Sequence, residues 1–264
     1  MSAEMLRDAC EQARRDLDIE NRAWILAIGR LSGLALDEDF DDPLVRTIAT
    51  AAYASGDFPC SPLVFNPSRA DIQTTPDYRA IVTRQDRSGR PFLESRFGFG
   101  QAGFVATSLT RSGLLEPGRH APSHVLLSDS ESVVTELLVL LCVTAQVIGY
   151  TGEAELLLSV LSEVPGQPLV LRAFDEETGD LRPAPLCPTS FTPAYGRFHI
   201  PADIDRVAMH AALFDLATDL AVQFEVKRPQ FVIPLDQGSD QQLPIDGALL
   251  APVELRPSPE ALTG

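Results

Sequence analysis

The sequence predicts an α+β protein: a small N-terminal helical region, then a mixed, mainly antiparallel sheet with two long packed helices. Three observations predict it. Elements beyond residue 78 read strands, helix, strands, helix, strand, without the regular alternation of βαβ units. Ser128-Asp-Ser-Glu131 has the spacing of a capping box and opens an apolar helix that Gly149 and Gly152 stop. "EAELLLSVLS" alternates, with Ala154, Leu156, Leu158 and Val160 on one face and Glu153, Glu155 and Ser159 on the other.

Taken in order, residues 3–18 and 20–34 read as two amphipathic helices, the second carrying Trp24, Leu26, Ile28 and Leu31. Asp42 as cap and Pro43 in the first position start a third, over Leu44 to Ser55. Four prolines in "GDFPCSPLVFNPSRADIQTTPDY" mark a boundary. The division expected is a helical region over 1–60, a linker over 61–78, an α+β domain over 79–236, and a loop and flexible tail over 237–264.

Within the α+β part, Ala80–Thr83 and Pro91–Phe97 are strand candidates around the polar loop "RQDRSGR", and Gly103–Leu109 is another. "PLVLRAF" reads as the neighbour of the alternating strand, closed by "DEETGD". The four prolines within 182–194 predict irregular chain before "YGRFHI" returns to strand. Asp203 to Glu225 is apolar on most sides, which predicts a helix packed on more than one face, and "QFVIPL" reads as a last edge strand.

A net charge of -16 opposes attraction to phosphate backbones or anionic lipid. The charge is uneven: residues 45–125 carry nine arginines against six acids, whereas residues 126–264 carry seven bases against twenty. Lys227 is the one lysine, which confines Schiff-base chemistry to that position. Cys10, Cys60, Cys142 and Cys187 lie far apart with no C-x-x-C, the pattern of reduced cytoplasmic thiols. The N-terminus lacks the basic start and apolar run of a signal peptide, and the apolar run Leu137 to Gly149 is too short to span a bilayer.

Gly98-Phe-Gly100-Gln-Ala-Gly103 is a literal G-x-G-x-x-G. A dinucleotide loop needs a buried strand before it and a helix after it. Here "FLESRF" precedes and the β-branched "FVATSLTRSG" follows, so two strands joined by a glycine-rich turn are expected. The rival reading is a nucleotide-binding enzyme using Gly98, Gly100 and Gly103, with Asp129 on the ribose, although about thirty residues separate that aspartate from the glycines where about twenty is usual. Arg84, Arg87, Arg90 and Arg96 form the one local basic cluster, which would grip a phosphate or an acidic partner if the hairpin aligned them. Asp37, Asp39 and Asp41 start like a calcium loop, but Asp42 stands where glycine belongs and Ile48 where glutamate does. His120 and His124 have Pro122 between them and nothing to complete a zinc set; His199 and His210 read as hydrogen-bonded structural residues.

"FLESRFGFGQAGFVATSL", "SDSESVVTELLVLL", "GYTGEAELLLSVLS" and "LFDLATDLAVQFEVKRPQFV", within residues 92–232, carry a resemblance. That segment resembles the C-terminal module of actinobacterial ATP-binding or DNA-binding regulators that carry a Schlafen/AlbA-like domain in front. The resemblance implies that the glycines lie in a hairpin and that nucleotide or DNA activity belongs to an upstream domain, where this chain has acidic helices. No site residue carries over. The expectation is a non-catalytic regulatory or protein-interaction module in the cytoplasm, with no cofactor and no metal. Its partner is another protein or a second copy, and a small-molecule ligand remains open.

Overall fold

The computed structural model describes residues 23–33, 43–44, 46–48, 71–75, 78–87, 90–100, 103–109, 123–162, 167–175, 178, 180–201, 206–230 and 232. Among these, the α+β class holds: ten strands form a seven-stranded and a three-stranded sheet, with two long helices. The expected helix over 3–18, the loop carrying Asp37, Asp39 and Asp41, and the tail over 237–264 lie outside the described residues.

The helix expected over 20–34 is a strand instead. β1 (Ala23–Leu31) is an interior strand of the large sheet, antiparallel to β5 (Gly103–Leu109) on one side and to β7 (Gly152–Ser162) on the other. Its burial explains the misreading: Trp24, Leu26 and Ile28 are as fully buried as Ile25 and Ala27 on the opposite face. A strand covered on both faces is a continuous apolar run, which fits a 3.6-residue period as well as a two-residue one. β1 therefore belongs with the sheet, although it comes from the segment expected to be helical. Within the proposed linker, Asp71–Thr75 is also a strand, β2. The helical start at Pro43 is present, with Thr47 Oγ1 donating to the Pro43 carbonyl at 2.9 Å.

β3 (Tyr78–Arg87) and β4 (Arg90–Gly100) form the hairpin expected around "RQDRSGR", and β5 has the bounds expected of it. The order of the large sheet is β10-β7-β1-β5-β4-β3-β2, antiparallel throughout, with β10 being Ala194–Ile200. "PLVLRAF" does not join β7. As β8 (Val170–Phe174) it pairs with β6 (His124–Leu126) in parallel and with β9 (Leu181–Pro183) across the "DEETGD" turn, forming the small sheet. β7 already has β1 and β10 on its two edges, so no place was left for it.

α1 (Leu127–Ile148) and α2 (Arg206–Val222) cover one face of the large sheet. Their core contains Ile25 and Ala27 of β1, Ala154 to Val160 at alternate positions of β7, and Ala194, Phe198 and Ile200 of β10. α1 approaches β1 so closely that a Cβ on Gly29 would lie 2.7 Å from Leu141 Cδ1, so only glycine fits without repacking. α1 is long and apolar enough to cross a bilayer by length and composition, but its surface is spent on this packing.

The capping box is a correction. Leu126 is the N-cap, in extended conformation and without a side-chain cap, so Ser128 to Glu131 lie inside the helix, with Glu131 already past its first turn. Ser130 Oγ donates back to the Leu126 carbonyl at 3.2 Å, and Glu131 reaches out of the helix to accept the backbone N–H groups of Gln230 and Val232, each at 2.8 Å. The expected strand over "QFVIPL" is not seen at its described residues, where Gln230 and Val232 are bends. Gln230 instead imitates a ladder with its side chain, accepting from Phe174 N at 2.8 Å and donating to Phe174 O. The helix end is as expected, with Gly149 left-handed at φ 68°.

Beyond Gly149, Tyr150 ties β1 to β7. Its hydroxyl lies 2.7 Å from the Ser32 carbonyl and 3.0 Å from that of Glu153. Gly152, at φ +153°, packs under that hydroxyl, and a Cβ there would sit 2.6 Å from it. Gly152→Ala should therefore lower stability by about 1–3 kcal/mol, since an unfavourable backbone angle and overpacking against a held ring coincide. Thermal melts check this, and a variant that matched the parent would contradict it.

Candidate functional site

The face of the large sheet opposite the helices carries a charged row at its β10 end. Register sets Arg30 of β1 opposite Glu155 of β7, and Glu155 opposite Arg197 of β10. Alternation alone puts these side chains, with Tyr195 and His199, on that face. Glu155 is only 4% exposed, and it is fully engaged. Its Oε1 accepts from the Tyr195 hydroxyl at 2.7 Å and from Arg197 Nη2 at 2.9 Å, and its Oε2 accepts from Arg30 Nε. Arg197 Nε in turn donates to the Tyr195 oxygen, and the guanidinium carbon stands 5.6 Å from the centre of the Tyr195 ring. Two residues further along the strands, His199 Nδ1 pairs with Glu153 Oε1 at 3.1 Å.

Burial pushes the Glu155 carboxyl upward, but the hydrogen bonds from Tyr195 and Arg30, with the Arg30 charge, overcome it and bring its pKa down to about 2. Burial and then the hydrogen bond to Glu155 raise the Tyr195 phenol. A carboxylate this acidic is a poor general base near neutrality, and a raised phenol is a poor nucleophile. What the cluster does well is hold Arg197 and Tyr195 in fixed positions at the sheet's edge. Both remain accessible, Arg197 at 63% and Tyr195 at 40%.

The residues singled out from sequence do not assemble here. Gly98, Gly100 and Gly103 lie in the β4–β5 hairpin, with Gly100 paired to Gly103 across its end and Gly98 to Val105. A strand, not a helix, follows Gly103, so the helix end that would meet phosphates is missing from this segment. Asp129 is buried in the first turn of α1 and engaged there. Of the four arginines, Arg87 pairs with Arg90 beside the hairpin turn, Arg84 is opposite Glu94, and Arg96 is opposite Val82. They form no single row. His124 Nδ1 accepts from Arg172 Nε at 3.3 Å, and burial, then the Arg172 charge, lower its pKa. His120 is outside the described residues. Among the described residues no group of three or more His, Cys, Asp or Glu is placed to hold a metal ion. Cys142, 3.9 Å from Met209 Sδ between the two helices, has its thiol pushed up to about 12 by burial, which makes it unreactive.

Glu155, Tyr195 and Arg197 were hidden by ordinary appearance. Glu155 reads as one of several polar residues on a solvated strand face, and Arg30 as part of a helix. The one signal in the sequence was the alternation of sign across three strands, Arg30 in the first, Glu153 and Glu155 in the second and Arg197 in the third, but it needs the strand register to be seen. No protein-family model, no curated protein and no solved structure matches this chain.

Proposed function

We propose that the chain is a non-catalytic, cytoplasmic protein-interaction module that takes an extended segment of a protein partner onto the edge of β10. The observation that carries this reading is the character of that edge. Among the described residues β10 ends the strand order, runs seven residues in unbroken register with β7, and contains no proline and no lysine. Folded proteins blunt exposed edges with lysine, proline, bulges or very short strands, because unpaired backbone groups recruit another strand. β10 has none of these along its length and offers Tyr195 and Arg197 instead. Tyrosine and arginine are the residue types that most often anchor interfaces, and strand addition is a standard mode of peptide recognition.

The resemblance to the C-terminal module of the Schlafen/AlbA-type regulators leads to the same kind of module. Free thiols at Cys142 and Cys187 support a reducing compartment. The test is capture from the native cell by the tagged chain and by Tyr195→Lys. That variant puts lysine on the edge while leaving a cation able to pair with Glu155. The expected result is a stoichiometric partner on the parent that the variant loses while melting like the parent. A partner retained equally by both, or none at all, contradicts the reading.

A further inference from the structure

The β10 edge is also self-complementary, and we propose that in the absence of another partner it is capped by the β10 strand of a second copy. The pairing would be antiparallel about a two-fold axis at Gly196, making one sheet continuous through both copies. The proposal rests on β10 being the docking edge and names the occupant of that edge at rest.

Register decides where the axis lies. A two-fold axis perpendicular to the sheet keeps each face on its own side, so it must pass through a residue opposite itself rather than between two residues. Centred on Arg197, it would set the two guanidiniums opposite each other, which is destabilising. Centred on Phe198, it would set Arg197 opposite His199, and centred on Tyr195 it would set Arg197 opposite Pro193, at the end of the strand. Centred on Gly196, it sets Tyr195 of each copy opposite Arg197 of the other, and Ala194 opposite Phe198.

The Tyr195 and Arg197 contact is thus made twice, as an aromatic ring against a guanidinium, the pairing both side chains already make within one copy. Arg197 can serve both roles. Its Nη2 is committed to Glu155 and its Nε to Tyr195, while most of the group remains exposed. Because Glu155 fixes these side chains before association, little side-chain entropy remains to be lost. Gly196 at the axis is the position where two backbones approach without side chains. The net charge of -16 on each copy opposes association, but salt screens it over roughly 10 Å at 0.1 M ionic strength.

Sedimentation velocity on the full chain over a wide concentration range tests this, together with two variants. The parent should pass from monomer to dimer as concentration rises, and Tyr195→Lys, which sets lysine opposite Arg197 twice, should stay monomeric. Gly196→Cys provides a check that does not depend on weakening anything. A Cβ at 196 meets Leu216 only at ordinary contact distance, 3.9 Å, so the variant should fold. Strand partners directly opposite are spaced as a disulfide requires. Mild oxidation should then yield a cross-linked peptide joining position 196 of the two copies. A parent that stays monomeric, a Tyr195→Lys variant that still dimerises, or a dimer whose position 196 does not cross-link would each overturn the proposal. A monomeric parent whose captured partner is still lost on Tyr195→Lys would overturn self-pairing alone and leave the edge as a docking site for another protein.

Discussion

Glu131→Ala is expected to lower stability by about 2–4 kcal/mol. Glu131 is 1% exposed, and its two oxygens separately accept the N–H groups of Gln230 and Val232. Truncation leaves both donors without an acceptor, and each buried donor left unsatisfied costs about 1–3 kcal/mol. The loss has a local signature as well. Gln230 and Val232 are held by this carboxylate, and Gln230 also by its side chain against Phe174. In the variant, amides 230 and 232 should exchange with solvent faster than the rest of the core. Glu131→Gln, which keeps one acceptor oxygen and brings an amide donor where an acceptor was, should fall between parent and alanine. Denaturant unfolding with residue-resolved hydrogen exchange checks both points. Unchanged exchange at 230 and 232 would show that the carboxylate does not hold them.

The second large effect is pH-dependent and belongs to Glu155. Its folded pKa of about 2 lies below the ordinary value of 4.5, so the folded state favours the ionised form. The contribution is fully present above pH 4.5 and is lost as pH falls from there toward 2. At about 1.36 kcal/mol for each pH unit between those two values, it amounts to about 3 kcal/mol. Glu155→Gln should lose most of this at neutral pH, while the stability difference between variant and parent shrinks on acidification and nearly vanishes near pH 2. Urea midpoints at several pH values read this directly. A difference independent of pH would mean that the glutamate acts by shape and not by charge.

Local signals carried much of this fold. The two hairpins β3–β4 and β4–β5, the β7 strand, the Gly149 stop and the strand character of "YGRFHI" each follow from patterns within about ten residues. The misreadings all concern partners far away in sequence. β1 reads as a helix because both its faces are apolar, and what makes it a strand is pairing with residues 104–109 and 154–162. Glu131 looks like half of a capping box because its acceptors' use, by amides a hundred positions on, is not written nearby. The charged row has the same origin. Arg30, Glu155 and Arg197 sit in three strands, and only the sheet sets them opposite one another. The G-x-G-x-x-G, by contrast, was readable, since the β-branched residues after Gly103 favour a strand over a phosphate-binding helix.

Both proposed roles of β10 require its edge to be open and to be filled by another strand. Residue-resolved amide exchange across Ala194–Ile200, in dilute and in concentrated protein, measures this. Along an edge strand, alternate N–H groups point away from the neighbouring strand. Those groups should exchange fast when the protein is dilute and slow when it is concentrated, while the set bonded to β7 stays slow throughout. Protection of every β10 amide in dilute protein would mean that the edge is already covered within one copy, and rates independent of concentration would mean that no second copy pairs there.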